Sequence, residues 1–170
     1  MQEAKCGLGR QEKERCLEAA RKIFLDAAHI VWLQFPLTRD DLALVREQCQ
    51  QPWLSDTVDL LMATNPDGNR GYAVADEVRG KDQLITYLVT VSPDLAVKEV
   101  EIITYRESYG GEVRNKAWRE QFHGKTPDDK LLPKREIRNI SGATISARAI
   151  TLGVKKILCT LRLIRERLPH

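Results

Sequence analysis

The chain has 170 residues, a length that fits one domain and allows a core without disulfide or metal support. Its composition, 42% hydrophobic and 30% charged, excludes a collagen-like, coiled-coil or globally disordered chain, and no apolar run is long enough to span a membrane. The net charge is +3, and residues 131–170 hold nine Lys and Arg against two Glu. A basic C-terminal part fits an anionic partner, and it fits a solvated helix face equally well.

The cysteines and histidines are scattered without the spacing of a metal site. Cys6, Cys16, Cys49 and Cys159 contain no CxxC pair and have no His at ligand spacing, so we expect no metal site. We expect these cysteines to be buried as small apolar side chains. Residues 1–5 lack the apolar stretch of a signal peptide.

The N-terminal third predicts helices. Apolar residues recur at three- and four-residue spacing from residue 10 to about residue 31, which predicts an amphipathic helix in a stretch that Pro36 ends. Thr38 followed by Asp41 resembles a capping box and predicts a shorter helix to about Cys49.

The middle of the chain predicts an antiparallel meander. Turn-forming residues at 65–69 and 92–95 join strands in two pairs. Alternating apolar residues of the third strand (Ile85, Tyr87, Val89 and Val91) share one face, and helices must cover one face of such a sheet. The four predicted strands are Val58–Thr64, Gly71–Val78, Leu84–Val91 and Val97–Tyr105.

The last third predicts a loop, two short elements and a long helix. A flexible loop at 107–111 precedes a short helix at 113–122, and a brief strand is expected near 136–140. A long amphipathic helix follows Ser141–Thr144. These elements predict an α+β fold, with an antiparallel sheet of four or more strands flanked by N- and C-terminal helices.

The run from Ser141 to Ser146 lies where the brief strand is predicted to meet the long helix. Glycine lets the backbone approach an anion, and the free amides at a helix start point toward it. The hydroxyls of Ser141, Thr144 and Ser146 can donate to phosphate oxygens. The same residues fit an ordinary helix N-cap, so on their own they leave both interpretations open.

Ser141-Gly142-Ala143-Thr144 before an amphipathic C-terminal helix resembles the attachment motif of the FMN-binding domain family. That family includes the flavin-carrying subunits of sodium-pumping NADH:quinone reductase and of the Rnf electron-transport complex. The resemblance covers about residues 58–160 and implies that FMN is joined through its phosphate to the hydroxyl of Thr144. Three further segments are similar, in the family's order: Gly71-Tyr72, the loop Tyr105–Val113, and Trp118 with Gln121-Phe122 and Gly124-Lys125.

The resemblance also implies a set of cofactor-binding residues. Tyr109 either stacks on the flavin ring or fills the loop, and Trp118 with Phe122 fits core packing better than ring stacking. Two positions depart from the family pattern: Arg138 stands where an acidic residue is common, and Tyr109-Gly110-Gly111 replaces a Pro-Gly-Leu-Gly turn. The predicted binding residues are Thr144, Ser141, Gly142, Ala143, Ser146, Glu107, Ser108, Tyr109, Gly110, Gly111 and Lys125.

The implied function is that of an electron-transfer flavoprotein domain with covalent FMN, a redox carrier more than a stand-alone enzyme. We assign residues 1–57 to an N-terminal helical segment and residues 58–170 to the FMN-binding domain, in one compact domain overall. The expected partners are a flavin transferase and membrane-bound redox proteins, with no nucleic acid, on the extracytoplasmic side. The targeting segment is then absent from this chain.

Two alternatives of other classes remain. One is a noncovalent FMN-binding or flavin-sensing module without redox turnover. The other is an interaction module whose basic C-terminal helix binds nucleic acid or a membrane surface. The basic residues of that helix are not interleaved with aromatic residues, which disfavours nucleic-acid binding.

Overall fold

An antiparallel sheet of five strands in sequential order forms the centre of the fold in the computed structural model, which describes residues 7–169. Each strand pairs with the next one along the chain, so the sheet is an up-and-down meander. The predicted α+β class is confirmed; Cys6 and His170 lie outside the described residues. The strands are β1 (His29–Pro36), β2 (Thr57–Asn65), β3 (Gly68–Arg79), β4 (Leu84–Val91) and β5 (Val97–Tyr105).

Among residues 7–169, four α-helices accompany the sheet: α1 (Arg10–Ile23), α2 (Arg39–Gln48), α3 (Lys116–Arg119) and α4 (Thr144–Ile164). The predicted capping box at α2 is confirmed. The amide of Asp41 donates to Thr38 Oγ1 at 3.1 Å, and the amide of Thr38 donates to Asp41 Oδ2 at 2.8 Å. Within residues 7–169, no helix combines the length and the apolar composition that crossing a membrane requires.

Helices cover both faces of the sheet, whereas the sequence led us to expect cover for one. Cys16, Ala20 and Phe24, in and just after α1, pack against one face. The opposite face packs against α4 and includes the predicted set Ile85, Tyr87, Val89 and Val91. Because β4 lies between β3 and β5 and is covered on both faces, nearly all of its residues are buried.

The prediction of one helix from residue 10 to about 31 is wrong in its last third. α1 ends at Ile23, and β1 begins at His29. The β-branched and aromatic residues that follow suit an edge strand, and their exposure alternates along the first part of β1 before they pair with β2. Because β1 pairs with β2, the sheet begins inside the N-terminal segment, residues 1–57, that the sequence assigned to helices. The domain boundary at residue 57 itself stays a prediction.

The predicted strand at 136–140 is also wrong. Only an isolated parallel bridge between Pro133 and Ile137 forms there. Side chains satisfy the backbone of Arg138 instead: its amide donates to Gln121 Oε1 at 2.8 Å, and its carbonyl accepts from Trp118 Nε1 at 2.7 Å. The predicted helix at 113–122 is built as α3 between two short 3₁₀ turns, Gly111–Arg114 and Glu120–Phe122.

A buried ion pair joins α4 to the sheet. Lys156 Nζ lies 2.7 Å from Asp76 Oδ2, and both side chains are buried. The hydroxyl of Tyr87, directly across from Asp76 on β4, donates to the same carboxylate oxygen at 2.7 Å. Burial, with the charge of Asp76, raises the pKa of Tyr87 well above its usual value, so this hydroxyl remains a donor.

Gly153 allows α4 to approach the sheet closely enough for this contact. A Cβ atom at Gly153 would collide with the Tyr87 hydroxyl oxygen and would lie 2.9 Å from the Cζ atom of the same ring. The helix and the hydroxyl can therefore share this space only because residue 153 has no side chain.

Replacing Asp76 with Ala leaves the Lys156 ammonium buried without a counter-charge. We expect the free energy of unfolding, measured in urea, to fall by about 3–5 kcal/mol. The matched control is Glu14→Ala, which breaks the exposed ion pair between Arg10 and Glu14 and should leave stability unchanged within error. An Asp76→Ala loss as small as that of the control would contradict the buried pair.

Candidate functional site

An open cleft of about 550 Å³ separates the loop after β5 from the start of α4. Its walls are residues 106–110 on one side and residues 142–146 on the other, with the β3–β4 turn at residues 81–83 beside the loop. The two segments that the sequence singled out therefore meet at one cavity, although more than thirty residues separate them in the chain.

Thr144 is the first residue of α4, and it is exposed at this cleft. The helix N-cap is Ala143, which has no polar side-chain atom to satisfy the first amides. Gly142 has a φ of 82°, a left-handed conformation that favours glycine and turns the chain into the helix. Asn139 Nδ2 donates to Thr144 Oγ1 at 3.0 Å and so orients the hydroxyl at the positive end of the helix dipole.

The hydroxyl of Tyr105 joins the two walls of the cleft. It donates to the carbonyl oxygen of Tyr109 and lies 2.9 Å from Ser146 Oγ. Since its hydrogen is used by the carbonyl, the Ser146 hydroxyl donates to the Tyr105 oxygen. Gly110 has a φ of 83°, and a Cβ atom there would lie 2.5 Å from this oxygen. The path of the loop thus depends on a residue without a side chain.

Glu107 holds the neighbouring turn. Its Oε1 accepts from the amides of Asp82 at 2.8 Å and Gln83 at 3.0 Å. These bonds, from Gln83 first and Asp82 second, lower the pKa of Glu107 below its usual value. Because the folded pKa is lowered, the stabilising effect of this carboxylate is present above its unfolded pKa and is lost as the pH falls through the lowered value. Its role toward a flavin stays a prediction.

Two large apolar side chains are exposed at the cleft. Tyr109, on the loop, exposes 85% of its surface, and Ile145, in the first turn of α4, exposes 51%. Exposed apolar groups on facing walls are typical of a ligand site. The flat ring of Tyr109 and the aliphatic side chain of Ile145 offer surfaces that a planar ring can contact.

Cationic side chains lie on the other side of Thr144. Lys134, Arg138 and Arg148 line a small cavity together with Asn139 and Thr144. Arg138, the departure from the family pattern, therefore places a positive charge beside the predicted attachment hydroxyl. Guanidinium groups pair strongly with phosphate oxygens.

Three predicted binding residues are not brought into the cleft. Lys125 pairs with Asp129 at 3.7 Å, and its carbonyl accepts from the amide of Val97, which holds this residue at the start of β5. Ser141 and Gly111 adjoin the walls without lining the cavity. The others, at 107–110, 142–144 and 146, all line it.

Trp118 and Phe122 belong to the core, as their spacing favoured. Their rings meet edge to face with centroids 5.3 Å apart, and both are buried. Trp118 also donates to the carbonyl of Arg138, so this packed element supports the chain that leads into Ser141. Its contribution to the site is structural support.

Sequence reasoning missed Tyr105, Asn139 and Ile145 as site residues. Tyr105 stood in the segment that resembles the family, but its contact with Ser146 spans 41 positions and depends on the tertiary fold. Asn139 lay in a predicted strand. Ile145 lay inside the motif and was the one residue there with a large apolar side chain.

Known proteins are similar to this part of the chain in sequence and in fold. The FMN-binding domain matches residues 80–159, which include both walls of the cleft. This segment is similar to the FMN-binding domain family. The resemblance inferred from the motifs is confirmed.

One curated relative and one solved structure add to this match. The relative, a subunit of the proton-translocating ferredoxin:NAD(+) oxidoreductase complex of Clostridium ljungdahlii, is 33% identical over 98 residues, 52% of this chain and 53% of that protein. The chain thus spans about half the length of this relative. The crystal structure of Shewanella oneidensis NqrC has a TM-score of 0.58 and 20% identity, covering 87% of this chain and 92% of that chain. That likeness shows the shared fold.

Replacing Gly110 with Ala tests the path of the loop. The new Cβ both strains the left-handed backbone and collides with the Tyr105 hydroxyl, so we expect a loss of about 2–3 kcal/mol in unfolding free energy. Gly124→Ala is the matched control, because Gly124 has a φ of 75° and nothing lies within 4 Å of its Cβ position. We expect the control to lose about 1 kcal/mol in urea unfolding. Equal losses would contradict the Tyr105 contact.

Proposed function

We propose that this FMN-binding domain is an electron-transfer flavoprotein domain that carries FMN through a phosphoester bond to Thr144 Oγ1. One observation carries the proposal: the exposed hydroxyl at the first residue of α4 lies on the same cleft as the loop after β5. A cofactor attached at one wall can therefore reach the other. The cleft volume is within the usual range for small-molecule sites.

The phosphate end of FMN fits the start of α4. Backbone amides of the first turn face the site without a side-chain cap, and the helix dipole favours an anion there. Lys134, Arg138 and Arg148 add positive charge in the adjoining cavity. These groups would hold and neutralise a phosphodiester at Thr144.

The ring end fits the loop wall. Tyr109 and Ile145 would contact the isoalloxazine faces, since both side chains are exposed on facing walls of the cleft. The Tyr105 hydroxyl positions this loop relative to α4. These residues bind and orient the ring without reacting with it.

FMN, when bound, supplies one- and two-electron redox chemistry, and the protein supplies position and electrostatics. Glu107, the carboxylate of the loop, is held in its charged form by two backbone amides, so it does not serve as a proton donor. The residues of the cleft therefore fit a carrier of electrons better than an enzyme with its own acid, base or nucleophile.

The partners in this proposal are a flavin transferase, which attaches the cofactor, and membrane-bound redox proteins. The Clostridium ljungdahlii relative is named as a subunit of a proton-translocating ferredoxin:NAD(+) oxidoreductase complex, which supports a place in a complex of that kind. We place the domain on the extracytoplasmic side of the membrane, as expected from the resemblance.

Replacing Thr144 with Ala should abolish covalent flavin after co-expression with a flavin transferase, as measured by intact mass. Ser141→Ala is the matched control, because Ser141 is an exposed hydroxyl three residues away that does not line the cleft. It should keep the flavin mass. Thr144→Ala removes one exposed hydroxyl and its bond from Asn139, and should cost under about 1 kcal/mol of stability.

Two outcomes would contradict this assignment. Covalent flavin on the folded Thr144→Ala protein would show that another residue is the attachment point. Flavin that is released from the unsubstituted protein on denaturation, with no mass increase, would favour the noncovalent FMN-binding alternative.

A further inference from the structure

Two cysteines from different helices meet on the side of α4 that faces α2. Cys49 is the C-cap of α2, and Cys159 lies in the last third of α4. They are packed together with Val45 in a small apolar cluster, and only 4% of Cys49 and 2% of Cys159 is exposed. In the described part of the chain neither forms a disulfide.

The chain after Cys49 is fastened to α4 by contacts that do not involve either sulfur. Gln51 Nε2 donates to the carbonyl of Ala149 at 3.1 Å, and Trp53 Nε1 donates to Thr160 Oγ1 at 2.9 Å. The two acceptor residues on α4, Ala149 and Thr160, lie before and after Cys159 in the sequence. These bonds keep the segment that follows Cys49 against α4 without any contribution from the two thiols.

The two thiols are chemically unequal. The adjacent thiol of Cys49 and the cations of Lys155 and Arg162 lower the pKa of the Cys159 thiol, and burial opposes them. The adjacent thiol of Cys159, together with burial, raises the pKa of Cys49. Cys159 is therefore the better nucleophile, and Cys49 keeps its proton.

We propose that Cys49 and Cys159 are a disulfide-forming pair that fastens α2 to α4 when the protein meets a small-molecule disulfide. The proposal does not depend on the flavin. It rests on the packing of the two sulfur atoms and on the bonds that flank them. Cys16 gives the contrast, since it lies on the buried side of α1, which packs against the opposite face of the sheet.

The reaction is a thiol–disulfide exchange in two steps. The Cys159 thiolate attacks one sulfur of the small disulfide, which breaks its S–S bond and releases one thiolate. Once Cys159 is part of the mixed disulfide, Cys49 loses its proton to solvent, and its thiolate attacks the Cys159 sulfur and releases the second thiolate. Two protein thiols are oxidised to one disulfide, and the small disulfide is reduced to two thiols.

The disulfide would link segments 110 positions apart in the chain. A loop of that length loses much conformational entropy in the unfolded state when it is closed, so the bond should stabilise the protein. It would also add a covalent link to the helix that begins at Thr144. The exposed residues Gln48 and Gln50 flank Cys49, so fraying of the end of α2 gives the oxidant its path to the sulfur atoms.

The test is to incubate the unsubstituted chain with glutathione disulfide and map its tryptic peptides without reduction. The four cysteines fall in four different tryptic peptides, with Cys49 in residues 47–70 and Cys159 in residues 157–162. We expect these two peptides to be joined and to separate on reduction. We also expect a melting temperature higher by about 5 °C or more, reversed by a reductant.

Matched variants complete the test. Cys16→Ala should leave the cross-link and the rise in melting temperature unchanged, and Cys49→Ala should abolish both and leave glutathione bound to Cys159. The proposal is overturned if the unsubstituted chain gives only glutathione adducts or unreacted thiols at Cys49 and Cys159. It is equally overturned if either residue is joined to Cys6 or Cys16 instead.

Discussion

The ion pair between Lys156 and Asp76 sets the distance between α4 and the sheet, and the position of the cleft depends on that distance. Both groups are buried, and Tyr87 donates to the same carboxylate, so removal of one partner would leave a charge in an apolar interior. The spacing also requires glycine at position 153. Because α4 is fixed at its middle in this way, its first residue, Thr144, has a defined place relative to the end of β5.

The start of α4 forms one wall of the cleft, and the loop after β5 forms the other. The start of α4 is rigid because the helix is packed along its length, and the loop after β5 is held by the hydroxyl of Tyr105 and the carboxylate of Glu107. The cleft is open, so it can bury only part of a ligand, and partial burial limits noncovalent affinity. Covalent attachment at Thr144 would remove that limit. The open cleft and the exposed hydroxyl of Thr144 therefore both fit a site whose cofactor is covalently attached.

Short sequence patterns predicted those elements of the fold that depend on interactions between residues close in the chain. Turn residues and alternation located β2 to β5 to within three residues, and the capping box located α2, because these patterns act over a few positions. Residues 29–31 fit both the helical spacing and a strand, and pairing with β2 decides between the two. The chain at 136–140 is not a strand because Gln121 and Trp118 satisfy the backbone of Arg138. The motif led to Thr144 and the start of α4, whereas Tyr105 was missed and Lys125 does not line the cleft, since the positions of both depend on contacts between distant segments.

The crystal structure of the flavin-loaded chain, prepared by co-expression with a flavin transferase, tests the central claim most directly. The account predicts electron density that continues from Thr144 Oγ1 into a phosphate at the first turn of α4, with the flavin ring in the cleft against residues 107–110 and Ile145. It also predicts that the Tyr105 hydroxyl still bridges Tyr109 and Ser146. A flavin joined to another residue, or a ring that lies outside the cleft on the face of α1, would contradict it.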